Sequence, residues 1–512
     1  MNRGVPSFRG ILFDGQTQEP AGEPGFFHDL NLNQIVESVT AGRDEYDLKS
    51  FFYSLPTKLG TITYRHEIMR DLENEELFKS IASFSTQMRS VRDHLSTADK
   101  ASYKYEKEGW FLEAVGIYGA AVEKLLRDLR QLNPKSHGLL GFRQCLTDYV
   151  ASAGFRKLVT GARKLKTDLL AIRYCLQMRG KRITVCDYNS EADYNTTIED
   201  IFAKFKRDAV KDYRAKFRTS EIMNQVEGMI LERVALLHPS VFSALSDFCA
   251  GNQEFSEKII VDFDREIQFY VAWLEYVEKF KRAGLRFCYP QVSDASKVIS
   301  SREGFDLALA DKLVRDNALP VCNDFVLNGT ERIFVVSGPN QGGKTTFART
   351  YGQLHYLAGL GCVVPGQEAR LFLFDKLFTH FEREEDVTSL RGKLEDDLLR
   401  IQQILGEATS NSLIIINEIF SSTTLQDAVY LSRRILERVA RLDALSVCVT
   451  FLDELASLNE KTVSMVAGIM PENPTMRTYK IERKAADGLS YAHAIADKYS
   501  LTYEKLRQRI KS

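Results

Sequence analysis

Nine consecutive residues, Gly338-Pro339-Asn340-Gln341-Gly342-Gly343-Lys344-Thr345-Thr346, have the types and spacing needed to hold phosphate. They fit the pattern G-x-x-x-x-G-K-[ST], in which glycines let a loop curl until successive backbone N–H groups point inward at phosphate oxygens. A helix opening at the end of such a loop adds its free N–H groups and the positive end of its dipole. In this reading Lys344 reaches the β- and γ-phosphates and the Thr345 hydroxyl is a ligand of Mg2+, so ATP and Mg2+ are the expected cofactors. Downstream, the apolar run Leu413-Ile414-Ile415-Ile416 ends in Asn417-Glu418. Proteins with this loop usually place Asp at the first of these positions, to hold the hydration shell of Mg2+. Asn417 can still accept a hydrogen bond from a metal-bound water but lacks the negative charge. Glu418 is the candidate to polarise an attacking water, and slowed hydrolysis is expected.

These residues need a sheet to position them. Ile333 to Ser337 reads as a buried strand leading into the loop, and Phe347 to Leu360 as the helix leaving it. From about Lys297 onward strands alternate with helices. The expected strands are Phe334–Ser337, Leu371–Phe374, Leu413–Ile416, Ser446–Thr450 and Thr478–Ile481. That alternation predicts a mostly parallel sheet covered by helices, with ligands bound at the carboxyl ends of its strands.

The preceding half has a different grain. Apolar residues at Val115, Tyr118, Ala121, Val122, Leu125 and Leu129 recur at helical spacing within Glu113–Leu132. Phe155–Met178 and Ile259–Arg282 read as further long helices, with a short strand at Arg182–Tyr188. Residues 1 to about 30 are rich in Gly, Pro and Phe and are expected to wrap a neighbouring surface in extended form. The lysines and arginines of Thr196–Arg218 could track a phosphate backbone, but Glu199, Asp200, Asp208 and Asp212 interleave with them. A solvated helix face laced with i,i+4 pairs explains that run as well. The same holds for Arg156, Lys157, Arg163, Lys164 and Lys166. Tyr491–Leu506 reads as a packed helical pair.

With 512 residues and 44% hydrophobic content the chain can build several cores. A net charge of −1 provides no global basic field, so any nucleic-acid contact must come from local patches. The eight cysteines form no C-x-x-C pair and are expected to be buried free thiols. No run is apolar and long enough to span a bilayer, and the first residues lack the apolar core of a signal peptide, so a cytoplasmic protein without a membrane partner is expected.

At this point the chain resembles the MutS family of DNA mismatch-repair ATPases, which are of the ABC type. The phosphate loop is similar to that family's G-P-N-M-[AG]-G-K-[ST]-[ST], and Pro339-Asn340 is much more specific than the generic pattern. Asn323-Asp324, Gly361-Cys362-Val363-Val364-Pro365 and Leu377-Phe378-Thr379 resemble the family's N-D, G-x-[FY]-V-P and I-F-T segments in order and spacing. Asn417-Glu418-Ile419-Phe420-Ser421-Ser422-Thr423-Thr424 sits where the family has D-E-[IL]-G-R-G-T-S.

The resemblance implies a multidomain chain: a mainly α-helical core, lever and clamp region followed by an α/β P-loop ATPase domain. The corresponding segments are 1–95, an N-terminal segment with the start of the helical core; 96–295, lever and clamp; and 296–512, the ATPase with C-terminal helices. It further implies a homodimer on double-stranded or branched DNA, acting in repair or recombination and associated with the nucleoid if the source is bacterial. Glu418 would be catalytic, residues 338–346 would bind ATP, and Thr345 and (through water) Asn417 would serve Mg2+.

Several departures from the pattern accompany it. The family's A-T-H is Val449-Thr450-Phe451, so the histidine that senses the γ-phosphate is Phe451. The serine expected to reach the partner's nucleotide is Gly392, followed by Lys393-Leu394. About 90 residues precede the long helices, too few for the two mismatch-reading domains, and direct mismatch reading is not expected. Phe111-Leu112-Glu113 and Phe255-Ser256-Glu257 match the family's Phe-x-Glu tripeptide but lie in or beside helical patterns. A weakly hydrolysing, nucleotide-gated scaffold for a protein or a DNA junction is the alternative. Other ABC-type ATPases are disfavoured because no L-S-G-G-Q signature is present.

Overall fold

The computed structural model describes residues 8, 10–12, 22–180, 182–190, 222–382, 392–420, 423–470, 473–486, 503 and 507. The expected helix Thr196–Arg218 lies outside these, as does nearly all of Tyr491–Leu506. The chain divides into two compact units, one made of Met1–Phe8, Asp71–Lys135 and Leu139–Asp264, the other of Arg9–Arg70, Ser136–Gly138 and Arg265–Ser512.

The first unit is largely helical. Its longest helices, Glu75–Lys100 and Lys104–Leu132, pack along their length. Asn74 starts the former by accepting hydrogen bonds from the Glu76 and Leu77 N–H groups, and Glu75 and Glu76 add charge favourable to that end. Leu77, Ile81, Phe84, Met88 and Val91 then form one buried stripe. It faces a core that includes Val115, Tyr118, Val122, Leu125 and Leu129, each worth about 1.5–3 kcal/mol when fully buried. Ala153–Leu170 and Pro239–Gly251 pack against the same helix.

The expected helix Phe155–Met178 is therefore too long: it ends at Leu170. Tyr174–Arg179 instead forms an antiparallel hairpin with Arg182–Asp187, with Gly180 supplying the positive φ of 61° at its turn. The two Phe-x-Glu tripeptides serve packing, since the Phe111 and Phe255 rings meet edge to face at 5.4 Å.

The second unit contains a six-stranded sheet. Its strands are β1 (Ile333–Ser337), β2 (Leu377–Phe381), β3 (Leu413–Asn417), β4 (Leu445–Val449), β5 (Thr462–Met470) and β6 (Asn473–Arg483). The order is β2-β3-β4-β1-β5-β6, parallel except for β6, which returns antiparallel to β5. Strands β1, β3 and β4 are buried along their whole length, as central strands covered on both faces must be. Ile333, Val335, Ile414 and Ile416 join Ile435, Leu436 and Val439 of the helix Leu425–Leu442 in one core.

Asp443 ends that helix and ties the amino-terminal edge of the sheet together. Its carboxylate takes Lys461 Nζ at 2.6 Å, Arg332 Nε at 3.1 Å and Lys297 Nζ at 3.2 Å. Burial alone would raise its pKa, but the hydrogen bonds from these three cations prevail and hold it down at about 2.

Two sequence expectations are corrected in this unit. The strand placed at Leu371–Phe374 is Glu368–Phe372, and it belongs to a separate four-stranded sheet with Gln291–Ser293, Ile299–Gly304 and Asn323–Leu327. Strands β2 and β5 were not anticipated, although β5 pairs directly with β1. The amino-terminal segment is packed where described: Ile11 and Leu12 are fully buried. The Glu266 carboxylate accepts from the Ile11 and Leu12 N–H groups, and the Tyr270 hydroxyl donates to the Ile11 carbonyl. None of the eight cysteines is in a disulfide, but only Cys362 and Cys448 are buried; the other six are half-buried. No single helix among the described residues is long and apolar enough to cross a membrane.

Candidate nucleotide site

The parallel register of β1, β3 and β4 brings three strand ends together. β1 ends at Ser337 and passes straight into the phosphate loop, whose helix Lys344–Gly359 starts with Gly343 as its cap. The loop is wound through Gly338 at φ 110°, Gln341 at φ 59° and Gly343 at φ 93°. Gly338 leaves no room for a side chain, because a Cβ there would lie 3.0 Å from the Ala467 backbone nitrogen of β5. At Gly342 a Cβ would meet the Ala467 Cβ at 2.8 Å and the Pro339 carbonyl at 2.9 Å. The unanticipated strand β5 is therefore the wall against which the loop is moulded.

Lys344 is buried, and its ammonium donates to the carbonyls of Gly338 at 2.9 Å and Pro339 at 3.2 Å. The Phe451 ring covers it, with 4.5 Å between Nζ and the ring centroid, while Phe451 itself stays half exposed. Burial lowers the Lys344 pKa; Glu418 and Asp453 oppose this and Arg477 reinforces it.

The strand-end pair sits beneath the loop. The Thr345 hydroxyl donates to Asn417 Oδ1 at 2.9 Å, and Asn417 is buried at the last position of β3. Glu418 follows in the left-handed region at φ 55°, fixed by its N–H donating to the Val449 carbonyl at the end of β4. Its pKa is raised, mainly by burial, with Lys344 pulling it down and Glu382 pushing it up. The structure thus gathers Gly338, Pro339, Asn340, Gln341, Gly342, Gly343, Lys344, Thr345, Thr346, Asn417 and Glu418 at one end of one sheet. Gly392 caps the helix Lys393–Glu407, and Lys393 is ion-paired with Glu382 of the same chain.

A cavity of about 550 Å³ opens beside the loop. Leu309, Leu313, Leu319, Val321 and Tyr479 form its apolar side, and residues 340–346 and Glu418 its polar side. Asn323 braces strand β6 here: its amide donates to the Tyr479 carbonyl at 3.1 Å and its Oδ1 accepts from the Ile481 N–H at 2.8 Å. Arg477 of β6 donates from Nε to the Asn340 carbonyl at 3.1 Å. Neither Arg477 nor Tyr479 belongs to a motif, and only the antiparallel return of β6 brings them to the loop.

The residues fit a magnesium nucleotide. The glycine cradle is shaped for close approach of phosphate, and Thr345 Oγ1 and Asn417 Oδ1 are hard oxygen donors of the kind Mg2+ takes. Both donors are uncharged.

The MutS domain V family matches residues 334–503, which span the phosphate loop and β3. The DNA mismatch repair protein MutS of Lachnoclostridium phytofermentans is 22% identical over 450 residues, 84% of this chain and 45% of its own. This is a divergent MutS-like chain. The MutS protein of Fervidobacterium nodosum is 24% identical over 252 residues (48% of this chain, 29% of its own), and that of an Exiguobacterium species 33% over 146 (28% and 17%). The MutS-like chain thus aligns with less than half the length of each of these relatives.

Proposed function

We propose that this chain is an ATP-dependent DNA-binding ATPase related to mismatch repair, working as a homodimer with a nucleotide at each composite site. The observation that carries the reading is the Thr345–Asn417 contact, which joins the phosphate loop to the strand-end pair as Mg·ATP chemistry requires. The loop N–H groups and Lys344 hold the phosphates, and the purine lies against Leu313, Leu319, Val321 and Tyr479. Mg2+ beside Thr345 and Asn417 supplies charge neutralisation to the phosphates. Glu418 orients and activates the attacking water. A second copy covers Leu319, Phe451 and Tyr479, each more than half exposed at this end of the sheet.

The helical unit is proposed as the DNA-embracing part, driven by nucleotide state through a population shift. Support in sequence is local: Arg156, Lys157 and Lys164 are exposed on the helix Ala153–Leu170. Arg163 and Lys166 of the same helix are bound to Glu123 and Glu113. Steady-state ATP hydrolysis with and without duplex DNA, using Lys344→Ala as blank, tests the proposal. DNA-stimulated turnover that vanishes in the blank supports it, whereas turnover indifferent to DNA removes the DNA-coupled part.

A second reading, a nucleotide-gated scaffold with weak hydrolysis, is favoured by Phe451 lying on Lys344 and by the neutral Asn417. Asn417→Asp separates the two: a large gain in rate marks a site tuned down for switching, and no gain marks a site already competent.

A further inference from the structure

The helical unit has a cavity of its own, of about 440 Å³, within the size range of small-molecule sites. It is lined by the helices Lys104–Leu132, Ala153–Leu170, Gln225–Leu237 and Pro239–Gly251 and by the hairpin residue Tyr174, all within the first unit. Its walls are mainly apolar, with Leu112, Val234 and Phe242 beside the rings of Trp110 and Tyr174. Gly109 adds to the space, since a Cβ there would meet nothing within 4 Å. Among the described residues three charged side chains line the cavity. Lys166 and Glu113 neutralise each other in an ion pair at 2.7 Å. The third, Glu106, is only 4% exposed. Its Oε1 accepts from the Met223 N–H at 2.6 Å, while its Oε2 has no hydrogen-bond partner. Glu108, the next carboxylate on the helix, is already held by the Ser246 hydroxyl at 2.9 Å and by Lys104 at 3.8 Å. An unpaired buried carboxylate oxygen is costly, and native proteins nearly always give such an atom a partner. The uncompensated charge of the cavity is negative and its walls are apolar. An ammonium on a hydrocarbon or aromatic body satisfies both, and the aromatic walls add attraction for the cation.

We propose that this cavity binds a small organic amine with an apolar body, and that Glu106 Oε2 accepts a hydrogen bond from its ammonium. The site shares no residue with the phosphate loop, and the inference does not rest on the nucleotide reading. Four helices contribute to its walls, so an occupant ties them together.

Titration of phenethylamine and n-hexylamine into the full chain, beside the neutral alcohols of the same shape, 2-phenylethanol and n-hexanol, tests it. Calorimetry gives the affinities. Tryptophan fluorescence adds a local readout, because Trp110 lines the cavity and the other tryptophan, Trp273, is fully buried in the second unit. At least one amine is expected to bind with Kd below about 1 mM and about tenfold or more tighter than its alcohol, the scale of one charge-assisted hydrogen bond. Glu106→Gln keeps an acceptor for the Met223 N–H and should bring amine and alcohol to within about threefold of each other. Gly109→Leu extends a side chain into the cavity from an unobstructed helical position and replaces a poor helix former with a good one, so it should abolish amine binding in a folded protein. That variant decides the matter if Glu106→Gln does not fold. The proposal fails if neither amine binds, or if amine and alcohol bind alike. It fails equally if the preference for amine survives in Glu106→Gln, or if binding survives in Gly109→Leu.

Discussion

The Lys344 ammonium lies 4.5 Å from the centroid of the Phe451 ring, at the position where the resemblance expects a histidine. A half-exposed cation–π contact of this kind is worth about 0.5–1 kcal/mol. It stabilises the lysine away from phosphate, so Phe451→Ala is expected to tighten ATP binding by roughly twofold to fivefold. Weaker binding in that variant, read by titration, would show that the ring helps to hold nucleotide instead.

Glu418→Gln is expected to leave ATP binding in place and to slow turnover by about a hundredfold, the scale of a lost general base. Because burial raises its pKa, the protonated and inactive form of Glu418 persists to higher pH than for an ordinary carboxylate. The wild-type rate should therefore fall with decreasing pH earlier than a free glutamate would dictate. That acid limb should be missing from the residual activity of Glu418→Gln. Normal turnover in the variant would falsify the assignment.

Asp443, whose pKa is shifted in the opposite direction, couples pH to stability. Its folded-state pKa of about 2 lies below its ordinary value, so its contribution is complete above that ordinary value and is lost as pH falls towards 2. Discounted for partial exposure, the contribution is about 1 kcal/mol. Asp443→Asn should lower the urea midpoint at pH 7, and the gap to wild type should narrow on acidification below pH ~4. A gap that stays constant with pH would argue against the ion-pair origin.

In the hairpin of the first unit Cys175 faces Cys186 directly across the ladder. Antiparallel partners are spaced at about 4.5–5.5 Å between Cα atoms, inside the range a disulfide spans. Mild oxidation of the full chain should link this pair, detectable by peptide mapping without reductant. Cys448, whose thiol burial pushes up to about 12, should stay unmodified in the native protein, as should the buried Cys362. A map showing modified Cys448 and no link between Cys175 and Cys186 would contradict the register.

The phosphate loop and the strand ending in Asn417-Glu418 were legible because each is a contiguous run in which one residue type can do one job. What escaped was set by pairing between distant segments. Tyr174–Arg179 contains Leu, Gln, Met and Arg, all good helix formers, and only the ladder with Arg182–Asp187 makes it a strand. Strand β5 carries Gly468 in its run, which weakens a strand signal, yet β5 lies against β1 and supplies the Ala467 wall. Arg477 and Tyr479 gave no signal because their place in the site follows from β6 reversing direction, a property of the sheet rather than of the residues themselves. Glu368–Phe372 has the length and polarity of a main-sheet strand, and its partners alone assign it to the smaller sheet.

The seating of Lys344 on carbonyls of its own loop has a kinetic consequence. A loop braced in this way before nucleotide arrives already has its shape, so little backbone order remains to be acquired on association. The slow step in loading is then encounter rather than folding of the loop. Unloading is governed by how readily the lysine returns to its two carbonyl acceptors, so the residence time of the nucleotide, more than its rate of arrival, is where sequence changes in this loop register.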